Sequence, residues 1–221
     1  FLRIKSDRLI FTSGATEANN LGLLGYARAR AQQLGKPGHL ITLSTEHHAV
    51  LDPLRQLRRE GFRLTELHPG PDGLLSQHHL AEAFEDDTLL VSAMVANNEI
   101  GVVQPLADFA GLCRDQGVTL HSDAAQAFGH LPINPDDLGL DLMSLSAHKL
   151  YGPKGIGALV IRRELPMNPL LWGGGQENEL RPGTLPVPLI VGFAKAVEIS
   201  MQDLDSRQKK LTALRNQLWA G

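Results

Sequence analysis

Three side chains that can do chemistry follow a short apolar run in the middle of the chain. Ser146, His148 and Lys149 come directly after that run and before a turn rich in glycine and proline. In an open α/β sheet this position is the crevice at the carboxyl ends of the strands, where ligands bind. A lysine there, flanked by groups that can bind an anion, is suited to a Schiff base with a phosphorylated aldehyde cofactor, pyridoxal phosphate. Lys154 is the alternative lysine, but its place between a proline and a glycine favours a role in the turn.

An acidic residue follows the preceding strand-like run. Asp123 lies just past that run, and Gln126 stands three residues further on. A carboxylate at this place can keep a pyridine nitrogen protonated, which makes the ring the electron sink that carbanion chemistry needs. The alternative role of Asp123 is that of a helix cap. An acid after one strand and a lysine after the next together favour the cofactor site.

Three further strand ends carry groups that can bind a phosphate or an aromatic ring. Small residues before Thr16 let backbone N–H groups at a helix start approach a phosphate, and Thr16 adds a hydroxyl. His47 could stack on a cofactor ring, whereas the adjacent pair His47 and His48 is not expected to bind a metal, because neighbouring side chains point apart. Asn98 could donate to a phenolate oxygen or a substrate carboxylate, and its alternative role is that of a turn asparagine.

Seven strand-like runs that alternate with amphipathic segments must position these groups. Most of the runs are almost continuously apolar, as in strands buried on both faces. The alternation predicts an α/β fold, a three-layer, doubly wound and mostly parallel sheet. We predict strands at residues 9–12, 40–44, 63–67, 89–95, 119–122, 142–145 and 158–161.

Helices are predicted between the strands and at the end of the chain. Residues 16–33 and 105–116 carry apolar side chains at helical spacing. Another helix is expected to begin at Asp52-Pro53, as an N-cap followed by proline at the first helical position. We expect one domain over 1–221, in which 186–221 form a long helix that leads towards a small C-terminal domain outside this chain.

Composition and charge argue against several classes of function. The chain is 43% hydrophobic and 20% charged, with a net charge of −3 and both signs mixed along it, so neither nucleic acid nor a membrane surface is an expected partner. No apolar stretch approaches the roughly 20 residues that span a bilayer, and no signal peptide is recognised. The single cysteine, Cys113, favours a reducing, cytoplasmic location. Because the chain starts at Phe1 and ends within a helical pattern, we expect an excerpt of a longer protein.

Seven motifs follow one another along the chain: 13–17 (SGATE), 45–50 (TEHHAV), 97–104 (NNEIGVVQ), 123–126 (DAAQ), 146–155 (SAHKLYGPKG), 173–177 (GGGQE) and 181–186 (RPGTLP). In this order they resemble the cysteine desulfurases of the NifS/IscS branch, within the class V aminotransferase family of fold-type I pyridoxal phosphate enzymes. The resemblance covers nearly the whole chain and implies the large, cofactor-binding domain of that fold.

The resemblance implies a role for each candidate site residue. Lys149 bonds covalently to the cofactor, and His47 stacks on its ring and can move protons, so these are the two implied catalytic residues. Asp123 pairs with the pyridinium nitrogen. The other implied cofactor contacts are Gln126 and Asn98 near the phenolate oxygen, Ala15 (through its backbone), Thr16, Ser146, Ala147 and His148 around the phosphate, and Thr184 at the phosphate of a neighbouring subunit. The last contact implies a homodimer with shared sites, and no metal is implied.

The sequence departs from the usual pattern of the family at three places. His48 stands where a lysine is common, and Ala147 stands where glycine is frequent. Residues 178–180 and Pro182 alter the loop before Thr184, which bears on the contact between subunits.

The implied reaction converts L-cysteine to L-alanine and passes sulfur as a persulfide towards iron–sulfur cluster assembly or tRNA thiolation, with a sulfur acceptor such as an iron–sulfur scaffold protein. Selenocysteine lyase or another class V lyase or aminotransferase is the alternative, and a non-catalytic scaffold is the alternative of another class. The family's catalytic cysteine and substrate-binding arginine lie C-terminal to the matched region, so this chain alone is expected to be inactive. Cys113 is expected on the apolar face of a helix, as a buried side chain.

Overall fold

A computed structural model describes residue 2 and residues 4–221. Its centre is a seven-stranded sheet in the order β1-β7-β6-β5-β4-β2-β3. The pairs from β3 to β6 are parallel, and β7 is antiparallel to both of its neighbours. The strands are β1 (Leu9–Thr12), β2 (His39–Leu43), β3 (Arg63–Leu67), β4 (Thr88–Ser92), β5 (Thr119–Asp123), β6 (Leu142–Ser146) and β7 (Gly157–Ile161). The predicted seven-stranded, mostly parallel sheet is confirmed, although β4 ends at Ser92 rather than at residue 95.

Helices cover both faces of this sheet. The chain from Ala15 to Leu34 is one continuous helix in which five π-helical residues, Leu21–Gly25, join two α-helical parts. Short 3₁₀ turns lie at Ser6–Arg8, Ala147–Leu150 and Gln176–Glu179. The α-helices are α1 (Ala15–Asn20), α2 (Tyr26–Leu34), α3 (His48–Arg59), α4 (Gln77–Glu82), α5 (Leu106–Asp115), α6 (Val187–Gln202) and α7 (Leu204–Ala220).

Two apolar cores, one on each face, make this a three-layer molecule. In β6, Leu142 belongs to the core formed with α1, α2 and α3, and Met143 belongs to the opposite core with α5 and α6. Leu90 and Val91 in β4 divide in the same way. Successive strand residues point to opposite faces, so a continuously apolar strand fills both cores. The carboxyl ends of the parallel strands are therefore held at one rigid edge.

The start of α3 differs from the prediction. The helix begins at His48, and Pro53 lies inside it at the sixth position. His47 is the N-cap: its ring Nδ1 accepts a hydrogen bond from the Ala49 N–H at 3.0 Å, and its carbonyl accepts from Val50 and Leu51. The imidazole of His47 therefore caps this helix, in place of the carboxylate of Asp52 that the sequence predicted. The tertiary fold overrides the usual preference for Asp before proline.

The C-terminal region also differs from the prediction of one long helix. The helix breaks at Asp203, which has φ −106° and ψ 11°, and this separates α6 from α7. Arg207 stabilises the chain at this break, because its guanidinium donates to the carbonyls of Ser200 (3.1 Å) and Gly129. A side chain that satisfies carbonyls near a helix end stabilises the termination there. Whether these helices lead to a further domain stays a prediction. Within the part of the chain that the structure describes, no helix has the length and apolar character needed to cross a bilayer.

Candidate active site

A cavity of about 510 Å³ lies at the carboxyl edge of the parallel strands. It brings together side chains from the ends of β1, β2, β4, β5 and β6 and from the turn that precedes β7. Nine of the eleven predicted site residues line it: Ala15, Thr16, His47, Asn98, Asp123, Gln126, Ser146, His148 and Lys149. Residues from distant parts of the sequence therefore meet in one place, as the strand-end argument requires.

The other two predicted residues lie elsewhere. Ala147 is fully buried behind the cavity wall, and its backbone N–H donates to Ile156 O at 3.1 Å. A contact of Ala147 with a ligand in the cavity is therefore not supported, because it shows no surface and its only donor is already used. Thr184 is exposed and lies outside the cavity of its own chain. Its predicted contact with a neighbouring subunit stays a prediction.

Lys149 lies in the 3₁₀ turn that follows β6, among groups that can bind an anion. Ser146 Oγ lies 2.8 Å from His148 Nδ1, and the Lys149 carbonyl accepts from His130 Nε2 at 2.9 Å. Partial burial lowers the pKa of His148, and the positive charges of Lys149 and Lys154 lower it further. The lowered pKa favours the neutral imidazole of His148, which can hydrogen-bond an anion without adding to the positive charges of the two lysines.

Lys154 also lines the cavity, although its place between a proline and a glycine predicted a role in the turn. Both descriptions hold, because it lies in the turn between the 3₁₀ segment and β7. Gly157, which opens β7, allows this turn to approach the start of α1: a Cβ there would lie 2.6 Å from the backbone of Gly14. Close approach of two backbones needs a residue without a side chain.

Asp123 is buried at the floor of the cavity, with 7% of its surface exposed. Its Oδ1 accepts from the Ala125 N–H at 2.9 Å, and its Oδ2 accepts from Asn19 Nδ2 at 2.7 Å. Within the described part of the chain, no ion pair includes Asp123. Buried carboxylates are usually paired with a cation. The site thus holds a buried acid whose partners are neutral donors.

Asn19 is a functional candidate that was not predicted from the sequence. It is fully buried on α1, four residues after Ala15, and it holds Asp123 from the helix layer. A polar residue on the buried side of a helix was the available signal, since a buried amide needs a partner. The partner could not be identified because it lies 104 residues away in sequence.

Neutral contacts also support the strand beneath Asp123. His121, two residues earlier in β5, lies between Ser92 Oγ (2.8 Å) and Ser144 Oγ (3.2 Å). Burial lowers the pKa of His121 to about 3, so this histidine carries no charge at neutral pH. Strands β4, β5 and β6 are therefore linked by side chains below the cavity without a competing cation near the acid.

His47 projects from the start of α3 into the cavity. Because its Nδ1 accepts the Ala49 N–H, its ring proton lies on Nε2 in the neutral form. The helix cap therefore fixes the position of the ring at the cavity.

Glu17 and Arg181 form an ion pair at the rim of the cavity, with Arg181 Nε 2.8 Å from Glu17 Oε1. Burial would raise the pKa of Glu17, but hydrogen bonds from Arg181 and Ser13 outweigh it, so the pKa is lowered. Arg181 belongs to the loop that carries Thr184, and the pair therefore fastens that loop to the start of α1.

Cys113 lies apart from this site, buried on α5 in the core. Burial, with a smaller effect of the negative charge of Asp141, raises the pKa of its thiol to about 12. Such a thiol is not nucleophilic at neutral pH. Residues 2 and 4–221 contain no cluster of three or more His, Cys, Asp or Glu side chains that could hold a metal.

The family profile described as "Aminotransferase class-V" matches residues 1–221. The cysteine desulfurase IscS of Histophilus somni is 50% identical over 218 residues, which is 98% of this chain and 53% of that protein. The cysteine desulfurase IscS of Aeromonas hydrophila is 48% identical over 215 residues, 96% of this chain and 52% of that protein. The chain thus spans about half the length of the curated relatives it matches.

Two solved structures have a closely similar fold. The crystal structure of DndA from Streptomyces lividans superposes with a TM-score of 0.92 at 46% identity, covering 99% of this chain and 62% of that one. A structure described as SspA in complex with cysteine superposes with a TM-score of 0.84 at 45% identity, covering 89% of this chain and 56% of that one.

Proposed function

This chain belongs to the aminotransferase class-V family, and we propose that it is the cofactor-binding part of a cysteine desulfurase. The proposed enzyme uses pyridoxal 5'-phosphate to convert L-cysteine to L-alanine and hands the sulfur on as a persulfide. The observation that carries the proposal is the single cavity in which Lys149, Asp123 and His47 meet.

The residues present fit pyridoxal phosphate. Asp123 is buried without a cationic partner in the described chain, and the protonated ring nitrogen of the cofactor is a cation of the right kind. Burying an unpaired charge is costly, so a partner that brings a positive charge to Asp123 would stabilise the site. A volume of about 510 Å³ is also in the range of small-molecule sites, roughly 300–1,000 Å³.

When bound, pyridoxal phosphate supplies an electron-withdrawing ring that stabilises a carbanion next to the substrate nitrogen. Lys149 would hold the cofactor covalently through Nζ, and the same amine could carry a proton. His47 would cover one face of the ring, and its Nε2–H would be a second proton donor beside the Lys149 amine. Asp123 would keep its negative charge at the ring nitrogen. Ser146, His148 and the start of α1 would bind the phosphate.

The substrate assignment is supported by the names of the relatives. The two curated relatives are cysteine desulfurases, and one structural neighbour was solved with cysteine. Cys113 does not supply the attacking thiolate of such a reaction, since it lies in the core. We therefore propose that the thiol belongs to a part of the complete protein outside this chain, and that a sulfur-acceptor protein, such as an iron–sulfur scaffold, takes the persulfide.

A homodimer is proposed on the position of Thr184. The residue is exposed and does not line the cavity of its own chain, and its loop is fastened to the cavity rim by Arg181. A neighbouring copy that received Thr184 at its phosphate would complete both cavities by symmetry.

The test is conversion of L-cysteine by the complete protein loaded with pyridoxal phosphate. We expect alanine and protein-bound persulfide in equal amounts in the first turnover, with selenocysteine assayed alongside. Cofactor binding without alanine from L-cysteine would contradict the proposal. Alanine from selenocysteine alone would replace it with the selenocysteine lyase alternative.

A further inference from the structure

Glu46 is a buried acid that none of the steps above uses. It lies in the loop between β2 and α3, directly before His47, and 5% of its surface is exposed. Its Oε1 accepts a hydrogen bond from the Met94 N–H at 2.6 Å. A second hydrogen bond joins the same two segments: Asn97 Nδ2 donates to Thr45 O at 2.8 Å. The two contacts fasten the loop that carries His47 to the segment after β4.

The other oxygen of Glu46 has no partner. Among the described residues, buried side-chain polar atoms without a hydrogen bond are Glu46 Oε2 and Asn19 Oδ1. Asn19 donates to Asp123 through its amide nitrogen, so both residues with an unpartnered oxygen act on the same acid. Buried polar atoms without a partner are rare, and each calls for an explanation such as a proton or a bound water.

A carboxylate at Glu46 would be doubly unfavourable. One oxygen would be buried without a donor, and the negative charge of Asp123 would act on it from β5. Burial, and then this charge, raise the pKa of Glu46 well above its ordinary range, and only the Met94 N–H opposes them. A carboxylic acid removes the buried charge and its repulsion by Asp123, and Oε1 still accepts from Met94 while the other oxygen carries a proton.

We propose that Glu46 is a positioning residue that works as a neutral carboxylic acid. It holds the His47 loop against the segment after β4, and it leaves the negative charge beside the cofactor ring to Asp123. The first statement concerns the protein with or without cofactor, whereas the second rests on the proposed function. Glu46 touches neither substrate nor cofactor and acts through His47 and Asp123.

The test compares Glu46→Gln with Glu46→Ala in the complete protein without cofactor, by urea unfolding between pH 5 and pH 8. Glutamine matches the neutral acid in shape, accepts from Met94 and never ionises. If the folded pKa of Glu46 is raised, its stabilisation is full below the unfolded pKa of about 4.3 and is lost as the pH rises. Relative to the wild type, Glu46→Gln should therefore gain stability steadily from pH 5 to pH 8, the unfolding constants diverging by up to about tenfold per pH unit.

Glu46→Ala is the matched control, because it also removes the titration but loses the bond to Met94. It should unfold more easily than Glu46→Gln at every pH. If Glu46→Gln fails to fold, is as unstable as Glu46→Ala, or keeps a constant difference from the wild type across the pH range, Glu46 is not a neutral acid and the proposal is wrong.

A second measurement addresses the cofactor. With pyridoxal phosphate bound, the visible absorbance of Glu46→Gln should titrate with pH as the wild type does, within about 0.3 pH units. A larger displacement would show that Glu46 supplies charge to the site and would overturn the second statement. Unfolding is measured without cofactor, so it reports the protonation state of Glu46 even if the protein does not desulfurate cysteine. Failure of the proposed function and failure of this proposal can therefore be told apart.

Discussion

The carboxyl edge of the sheet and the C-terminal segment 171–220 differ in which side chains they bury and which they expose. At the sheet edge polar groups are buried and bonded, as Asp123 is to Asn19. In the C-terminal segment large apolar side chains are exposed, including Trp172 at 85% and Trp219 at 92%. Exposed aromatic residues of this size are uncommon on a monomer, whereas a buried bonded acid is usual at a functional site. The sheet edge is thus specified by contacts within this chain, and the C-terminal segment much less so.

Backbone conformation shows the same difference. Glu177, Asn178 and Glu179 have φ of 50°, 56° and 64°, three successive non-glycine residues in the left-handed region. Few contacts hold this turn: Glu177 accepts from the Phe11 N–H at 2.5 Å, and Asn178 donates to Asp7 O at 2.9 Å. Strain of this kind persists where surrounding contacts impose it. The loop before Thr184 therefore depends on a small number of side chains.

The largest expected effect lies at the sheet edge, in Lys149→Ala. Loss of the covalent bond and of the proton carrier should lower alanine formation by at least about 10³-fold in the complete enzyme. Borohydride reduction and peptide mapping should place the cofactor adduct on Lys149 in the wild type. Lys154→Ala is the matched control and should keep that adduct. An adduct on Lys154 would reverse the assignment of the two lysines.

Asp123→Asn should have the next largest effect. The amide keeps the size of the side chain but removes the charge, so cofactor binding should stay measurable while turnover of L-cysteine falls about 10²-fold or more. Steady-state kinetics together with a cofactor titration measure the two quantities separately. Turnover at the wild-type rate would mean that Asp123 is structural only.

The ion pair between the two regions should contribute less. Because the pKa of Glu17 is lowered, its stabilisation is present above its unfolded pKa of about 4.3 and is lost as the pH falls through the folded value. Glu17→Gln should cost about 0.5–1 kcal/mol of unfolding free energy at pH 7, since the pair is partly exposed, and nearly nothing at pH 3. Equal losses at both pH values, measured by urea titration, would show that charge is not the cause.

The smallest effect is expected in the C-terminal segment, from Glu179→Gly. Glycine relieves the left-handed strain, which costs about 1–2 kcal/mol, but it loses more chain entropy on folding, so a net gain of about 0.5 kcal/mol is expected. Glu179→Ala keeps the strain and should change the unfolding free energy by less. If both variants behaved alike in urea unfolding, the turn would not be strained.

The sequence was sufficient to predict the sheet and most of the cavity lining, because apolar runs and strand ends leave local signals. Seven strands and eight lining residues follow from those signals, whereas Ala15 was implied only by the resemblance to the family. Asn19 and Glu46 were missed because their importance depends on Asp123 and Met94, which lie far away in sequence. The break at Asp203 was missed for the same reason, since Arg207 reaches the carbonyl of Gly129. The predicted binding roles of Lys149 and Asp123 are tested by the variants above.

The antiparallel position of β7 has a consequence for the order in which the protein folds. It pairs with β1, where Thr12 lies opposite Gly157, so the two sides of the proposed phosphate-binding region come from distant parts of the chain. Closing so long a loop costs entropy before the contacts form, and such pairings are slow. We therefore expect this edge to assemble late. Pyridoxal phosphate, which would contact both sides, would then select the completed sheet over partly folded chains and shift the folding equilibrium by mass action.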